Sequence, residues 1–311
     1  MNKKWILGAG TVVLGLPLAL WIWPGHHAPQ PFVVPKGAAA SEVARDLRDA
    51  KLIGSRRLFL AWVKIQRDPG SIRPGVYQLA PGWTGFHIAR QLRRGPPLVR
   101  VTFPEGWMAK QMAELLEARG IASVAGFMDI VKKEKREGYL FPDTYFFNQG
   151  LEARQVVNRM IDRFHEQAPK DMAVQAKALK LSYGHIVTLA SLVEKEARVP
   201  QERAVIAGVF YNRLRKRWRL ESCASVEYAL GKWKRKLSYK DLAVDSPYNT
   251  YLHFGLPPGP ICNPGQAALE AAAHPAATDM MFFIAEGDGT HRFSRYYKEH
   301  LEGKRQRKNH D

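Results

Sequence analysis

The sequence contains few cysteines and few acidic residues. Cys223 and Cys262 are its only cysteines, so at most one disulfide can form within the chain. The two thiols could pair in an oxidising compartment and would be inert or catalytic in a reducing one. Acidic residues number 29 against 47 lysines and arginines, which gives a net charge of +18. This shortage of negative charge indicates an anionic partner, whether nucleic acid, anionic lipid or an acidic polymer.

Charge is absent from the segment that follows the first four residues. Residues 5 to 23 carry no charged side chain, and a helix of that length spans roughly 28 Å, close to the hydrocarbon core of a bilayer. Lys3 and Lys4 precede the segment and tryptophans stand at both of its ends, which favours a cytoplasmic N-terminus. The segment also lacks a clean small-x-small exit site, which disfavours the alternative, a cleaved signal peptide. We therefore expect a membrane anchor.

The remainder of the chain has the composition of a globular protein. Hydrophobic residues make up 46% of the 311 residues and charged residues 24%, enough for about two domains. Strand–turn–helix patterns begin at Val33 and Val101, with a looser copy at Val76, and Ser41 is the expected N-cap of the first helix. These patterns predict small α+β modules.

Pro200 indicates where two predicted helices of the second half end and begin. A helix is expected over residues 183 to 198, because the residue before Pro200 avoids the helical region. A second helix is expected to start at Pro200 and to run to about residue 217. Residues 281 to 285 are apolar and predict a buried strand, with a returning strand at residues 291 to 293.

The first of these helices carries a glutamate on its apolar face. At about 100° per residue, Glu196 falls within the stripe that contains Leu189 and Val193. Such a carboxyl loses hydration, which raises its pKa, as a general acid near neutral pH requires. The structural alternative is an ion pair in the core with Arg203 or Arg213.

Short strings in a characteristic order link the chain to a known family. Residues 190 to 197 read ASLVEKEA and residues 138 to 145 read GYLFPDTY. Further strings are VFYNRL at 209 to 214, SPYNTY at 246 to 251, GLPPGP at 255 to 260, NPG at 263 to 265 and AAAHP at 271 to 275. Together they resemble the signature of the endolytic murein transglycosylases, the YceG-like family.

The resemblance implies a single-span inner-membrane protein of α+β fold whose catalytic domain lies in the periplasm. The implied order is a cytoplasmic tip at residues 1 to 4, the anchor at 5 to 23, a linker at 24 to 31, a LysM-like module at 32 to 97 and a YceG-like catalytic domain at 98 to 311. The implied partners are peptidoglycan glycan strands, the inner membrane and peptidoglycan synthases. Nucleic acid is not among them, because the exported location and the scattered basic residues do not fit it.

The implied chemistry rests on one residue. The family's catalytic glutamate falls on Glu196, which the helix geometry selects independently. The resemblance implies cleavage between N-acetylmuramic acid and N-acetylglucosamine within nascent strands, with attack by the muramyl C6 hydroxyl and a 1,6-anhydro end, and with no metal or cofactor. Ordinary glycosidases use two carboxylates, whereas one suffices here because the substrate supplies the nucleophile. Such cleavage would end strand elongation.

Six further residues are candidate substrate contacts, namely Glu194, Asn212, Arg213, Tyr248, Asn249 and Tyr251. The tyrosines and Asn249 would hold sugar hydroxyls or stack on rings, while Asn212 and Arg213 would shape the cleft. For each of them a purely structural role is an equal alternative.

The chain departs from the family at both cysteines. Cys223 and Ala224 stand where many members carry aspartate and proline, and Cys262 stands where the family often has alanine. We expect a Cys223–Cys262 disulfide that joins two loops of the active-site region. Closing a loop of about 40 residues would stabilise the fold by roughly 3–4 kcal/mol.

Three other functions fit parts of the sequence. A non-catalytic peptidoglycan-binding or scaffold protein would keep the LysM-like module without needing Glu196. A nucleic-acid-binding protein fits the net charge alone. A cysteine hydrolase using Cys223 or Cys262 with His274 requires a free thiolate beside its base, which the expected disulfide removes.

Overall fold

The computed structural model describes residues 28–65, 72–232, 234 and 237–308. The predicted cytoplasmic tip and anchor lie outside these residues. Within the described ranges, no helix has the length and apolar character needed to cross a bilayer. The chain divides between Pro96 and Pro97 into two compact units, called unit 1 and unit 2 below.

Unit 1 combines a two-stranded sheet with three helices. In chain order these are β1 (Gln30–Val34), α1 (Ala40–Asp49), α2 (Arg56–Ile65), β2 (Gly75–Leu79) and α3 (Gly85–Arg94). The strands are antiparallel, with Gln30 opposite Leu79. Alternate residues of β1 and one face of each helix are buried together around Tyr77, which is fully enclosed.

Unit 2 is larger and mostly helical. Its first part contains β3 (Leu98–Thr102), α4 (Ala109–Ala118), α5 (Val124–Lys133), β4 (Thr144–Asn148) and α6 (Ala153–Gln167). Next come α7 (Met172–Ala178), α8 (Tyr183–Glu196), a 3₁₀ turn (Pro200–Glu202), α9 (Arg203–Arg215), α10 (Cys223–Leu230) and α11 (Tyr239–Leu242). The last elements are α12 (Gln266–Ala273), β5 (Phe282–Ala285), β6 (His291–Ser294) and α13 (Tyr297–Lys308). Strands β3 and β4 pair antiparallel, as do β5 and β6.

Helix α8 is the central helix of unit 2. Every residue from Ile186 to Val193 is buried, which is the pattern of a helix enclosed on all sides. Helices α9 and α12 pack against it, and their side chains share its core cluster. The last turn of α8, which carries Glu196, is therefore fixed in place by the core.

Asn263 ties three distant segments of unit 2 together. Its side-chain oxygen accepts hydrogen bonds from the backbone N–H groups of Gly138 (2.8 Å) and Leu140 (3.0 Å). Its Nδ2 donates to the Trp107 carbonyl at 3.0 Å and to Glu137 Oε1 at 2.9 Å. The side chain is fully buried, so the proline-rich loop that precedes α12 is held against both segments.

The two units confirm the predicted α+β class, and the local differences have simple causes. Helix α1 starts one residue before Ser41, because the Glu42 carboxylate accepts the Ala39 N–H at 2.9 Å and closes the first turn. The helix expected from Pro200 begins as a 3₁₀ turn and becomes α-helical at Arg203. The predicted strand pair at residues 281 to 293 is present as β5 and β6.

Candidate active site

Glu196 lies where the end of α8 meets the start of α10. The hydroxyl of Ser222, the N-cap residue of α10, donates a 2.5 Å hydrogen bond to Glu196 Oε1. The backbone N–H of Ala224, in the first turn of α10, also faces the carboxylate. A helix N-terminus presents unpaired N–H groups and partial positive charge. Glu196 is therefore oriented by two donors from one helix end.

Burial nevertheless dominates the protonation of Glu196. Removal from water raises its pKa, and the nearby charge of Glu227 acts in the same direction. The Ser222 hydrogen bond, His291 and the Ala224 N–H oppose this shift without cancelling it. A carboxyl with a raised pKa keeps its proton closer to neutral pH, which suits a general acid. The structural alternative, a core ion pair with Arg203 or Arg213, is not formed among the described residues, where Arg213 pairs with Glu221 at 3.4 Å.

A pocket of about 280 Å³ opens beside Glu196. Its polar lining comprises Glu196, Arg213, Glu221, Cys223, Tyr251, His291, His300 and Lys304. Leu220 and three residues of β5 line the rest. Its lining combines two cations, Arg213 and Lys304, with the two carboxylates Glu196 and Glu221.

His291 is fixed in this pocket by Glu202. The Nδ1 atom lies 2.7 Å from Glu202 Oε2, and the backbone N–H of His291 donates to Oε1 at 2.9 Å. The imidazole is 5% exposed and meets the Phe283 ring edge-on at 5.5 Å. Glu202 thus sets the orientation of an imidazole that lowers the pKa of Glu196.

His300, from α13, brings a second imidazole to the pocket. Burial, together with Lys304 and Arg213, lowers its pKa to about 4, so the ring is neutral at physiological pH. It stacks on Phe282 at 5.3 Å. In the described structure its Nδ1 is buried and has no hydrogen-bond partner, which leaves a polar atom for water or substrate to satisfy.

Of the six predicted substrate contacts, Arg213 and Tyr251 line the pocket with Glu196. Arg213 also carries a structural role, because its Nε donates to the Met281 carbonyl at 2.7 Å and its Nη1 to that of Leu220 at 2.6 Å. These bonds join α9 to β5 and to the segment that leads into α10.

Three other predicted contacts are placed away from the pocket. Asn212 Nδ2 donates to the Thr278 and Met280 carbonyls, at 2.8 and 2.9 Å. Asn249 is fully buried and its Nδ2 donates to the carbonyls of Leu242, at the end of α11, and of Val244. Tyr248 packs against Tyr228 in the core, with ring centroids 4.8 Å apart. In each case the structure favours the structural alternative.

Glu194 occupies a different pocket, of about 480 Å³, together with Glu105. Its Oε2 accepts the Gly265 N–H at 3.1 Å, at the N-terminus of α12. Burial raises its pKa, the Gly265 hydrogen bond lowers it, and Glu105 raises it. Glu194 is therefore placed away from the pocket of Glu196, on a side of α8 that the loop before α12 covers.

The predicted Cys223–Cys262 disulfide is not formed, and both cysteines are free. Cys262 is fully buried, with its thiol directed at the Ser191 carbonyl of α8 at 3.4 Å. Cys223 is exposed beside the pocket, where its sulfur lies 3.2 Å from the Tyr251 hydroxyl. The two thiols are thus engaged with different neighbours, one in the core and one at the pocket.

Thiol counting tests whether both cysteines are free. Desolvation raises the pKa of both thiols. Cys223 is nevertheless exposed to a reagent whereas Cys262 is buried, so their reactivities should differ. We expect two titratable thiols in unreduced full-length protein after denaturation, with Cys223 modified first under native conditions. A count of zero free thiols in denatured, unreduced protein would restore the disulfide.

The sequence did not predict four residues of the site, namely Ser222, Glu202, His291 and His300. Ser222 is a recognisable N-cap residue, but nothing in the sequence places that cap beside residue 196. Glu202 and His291 are 89 residues apart and meet only because β6 returns past the 3₁₀ turn.

Substituting Ser222 by alanine tests its role in positioning Glu196. The hydroxyl stabilises the charged carboxylate, so its loss raises the pKa of Glu196 further. General-acid catalysis needs the protonated form, so the alkaline limb of kcat should move to higher pH. We expect kcat at neutral pH to fall about tenfold, because the carboxylate that forms as Glu196 gives up its proton loses a charge-assisted hydrogen bond. A pH–rate profile with an unmoved alkaline limb would show that Ser222 does not act on Glu196.

Comparison with known proteins agrees with this geometry. The model of the YceG-like family matches residues 32–306. A Bacillus subtilis (strain 168) protein named endolytic murein transglycosylase is 34% identical over 299 residues, covering 87% of this chain and 82% of that protein. A Streptococcus pneumoniae (strain D39) protein of the same name is 27% identical over 297 residues, covering 81% of this chain but only 53% of its own length.

A solved structure agrees as well. The crystal structure of a YceG-like protein from Listeria monocytogenes shares 31% sequence identity and superposes with a TM-score of 0.57, covering 88% of this chain and 98% of that one. The likeness therefore extends to the mixed α+β fold. With the family match spanning nearly the whole chain, the protein belongs to the YceG-like family.

Proposed function

We propose that the protein is an endolytic transglycosylase that cleaves peptidoglycan glycan strands. The observation that carries the proposal is Glu196, a carboxyl of raised pKa held by Ser222 at the edge of a pocket. The relatives named endolytic murein transglycosylase supply the substrate class. The net charge of +18 over the whole chain suits a polymer that carries carboxylates on its peptides.

In the proposed reaction Glu196 acts first as acid and then as base. Its proton passes to the glycosidic oxygen as the bond from that oxygen to C1 of N-acetylmuramic acid breaks. The carboxylate then takes the proton of the C6 hydroxyl of the same sugar, whose oxygen bonds to C1. The products are a 1,6-anhydro end and a new free 4-hydroxyl on N-acetylglucosamine, and Glu196 regains its proton. No water is consumed.

Hydrolysis is the competing reaction, and Glu221 is the reason to consider it. This second carboxylate lines the same pocket and lies 3.4 Å from Arg213 Nη1. Inverting glycosidases use such a carboxylate to activate water. Hydrolysis would leave a reducing end in place of the anhydro ring.

The remaining parts of the proposal concern location. We propose that residues 5 to 23 anchor the chain in the inner membrane and that the catalytic domain faces the periplasm. Unit 1 would act as a LysM-like module, and peptidoglycan synthases would be the neighbouring enzymes. In this setting, internal cuts in nascent strands would end their elongation.

The lengths of the early products test the endolytic part. We would incubate full-length protein in detergent with long, uncross-linked glycan strands and follow the strand lengths with time. Internal cleavage predicts fragments of intermediate length from the start, whereas early release of disaccharides alone would mean cleavage from an end. Unchanged strands with retained binding would support the alternative, a peptidoglycan-binding scaffold.

A further inference from the structure

Unit 1 exposes a set of large apolar side chains, which we call the apolar face. It consists of Leu58, Trp62 and Ile65 on α2 and Phe86 on α3, exposed by 65%, 40%, 67% and 41%. The Trp62 and Phe86 rings meet edge-to-face at 5.2 Å. A groove of about 860 Å³ runs beside them, between α2 and the first turn of α3. Contiguous exposed apolar surface of this kind marks an interaction site.

The charged residues of the two helices that carry the apolar face are all basic. Helices α2 and α3 contain no acidic residue, and their cations are Arg56, Arg57, Lys64, Arg90, Arg93 and Arg94. At 100° per residue, Arg57 and Lys64 flank the exposed stripe of α2 on the side away from the core. Within the described part of the chain, neither of them forms an ion pair. An aromatic and apolar stripe beside unpaired cations is the pattern of a surface that lies on anionic lipid.

The chain length places unit 1 near the bilayer. The anchor that we propose ends at Trp23 and β1 begins at Gln30, so six residues connect them. Fully extended, they reach about 24 Å. Unit 1 would therefore stay within a short distance of the headgroups, where a weak surface affinity is enough to hold it down.

We propose that the apolar face of unit 1 docks into the headgroup region of an anionic bilayer, with Trp62 and Phe86 inserted and Arg57 and Lys64 facing lipid phosphates. The inference rests on the proposed anchor, and it adds a second membrane contact made by the folded module itself. Such a contact would fix the orientation of unit 1 on the membrane surface.

Site-specific photo-crosslinking of the full-length chain in vesicles tests the proposal. The photoreactive residue would be placed by Trp62→p-benzoylphenylalanine, which keeps a large aromatic side chain. The matched control is Val33→p-benzoylphenylalanine. Val33 is 60% exposed on β1 and points away from the core, since its neighbours Phe32 and Val34 are buried. Adducts would be identified by mass spectrometry in vesicles with phosphatidylglycerol and in vesicles of phosphatidylcholine alone.

We expect lipid adducts at position 62 in at least about fivefold excess over position 33. Adding Arg57→Glu and Lys64→Glu should lower the yield in anionic vesicles about tenfold. Equal yields at the two positions, or glycan or protein adducts at position 62 when peptidoglycan or a second protein is present, would overturn the proposal. Extraction by alkaline carbonate separates the two ideas: release of the chain disproves the anchor, whereas a retained chain without lipid adducts at position 62 disproves only the docking.

Discussion

Substitution of Glu196 by glutamine is expected to reduce glycan cleavage about 10³-fold or more. Glutamine keeps the size of the side chain and can still meet Ser222, but it can neither give a proton to the glycosidic oxygen nor take one from the C6 hydroxyl. A single general acid or base contributes about 10²–10⁴-fold, and here one residue performs both steps. The measurement is the initial rate of strand cleavage by full-length protein at neutral pH.

The matched control for this variant is Glu114→Gln. Glu114 lies on the exposed face of α4, where its side chain is 58% exposed, so the same chemical change should leave the rate within about twofold. The Glu196→Gln variant should melt at the temperature of the wild type or above, because the charge of a desolvated carboxyl is costly. The Glu114→Gln variant should melt at the temperature of the wild type. A Glu196→Gln variant that retains a tenth or more of the wild-type rate would remove Glu196 from the mechanism.

Substitution of Asn263 by alanine is expected to lower the free energy of unfolding of unit 2 by about 3–5 kcal/mol. The change leaves the buried N–H groups of Gly138 and Leu140 without their acceptor, and each such loss costs about 1–3 kcal/mol. It also removes a donor from Glu137, whose pKa burial already raises to about 7. Denaturant unfolding of the full-length protein in detergent provides the measurement.

Asn158→Ala is the control for Asn263. Asn158 is exposed on α6, so its loss should change stability by no more than about 0.5 kcal/mol. If Asn263→Ala were equally mild, then water or a rearranged loop must replace the lost hydrogen bonds. The loop before α12 would in that case not depend on Asn263.

The burial of Glu196 could be predicted, because α8 is a long apolar helix. Its 3.6-residue repeat does not separate Glu196 from Glu194, however, because α8 is enclosed on all sides and burial raises the pKa of both carboxyls. The partners of Glu196 could not be predicted in this way. Ser222 and His291 belong to elements that meet the end of α8 only in the folded chain, and no local pattern reports such a meeting.

The motif strings carry two kinds of residue that sequence alone does not separate. In the string at residues 209 to 214, Asn212 donates hydrogen bonds to two backbone carbonyls. Arg213 donates a hydrogen bond to the Met281 carbonyl and also lines the pocket. In the string at residues 246 to 251, Asn249 is enclosed and Tyr251 faces the pocket. A buried amide that satisfies loop carbonyls and an amide that binds sugar have the same sequence signature.

The disulfide prediction failed for a related reason. Sequence separation determines how much entropy a bridge would remove, but not whether two Cβ atoms approach each other. Cys262 lies in the core, where its thiol contacts the Ser191 carbonyl of α8. Cys223 lies on α10 and lines the pocket.

The most direct test of the account is digestion of uncross-linked glycan strands in ¹⁸O-labelled water by full-length protein, with the new ends read by mass spectrometry. We expect 1,6-anhydro ends without label, because the C6 hydroxyl of the substrate is the nucleophile and no water enters the product. Reducing ends that carry ¹⁸O would contradict it, and would make Glu221 the candidate base for a hydrolytic reaction.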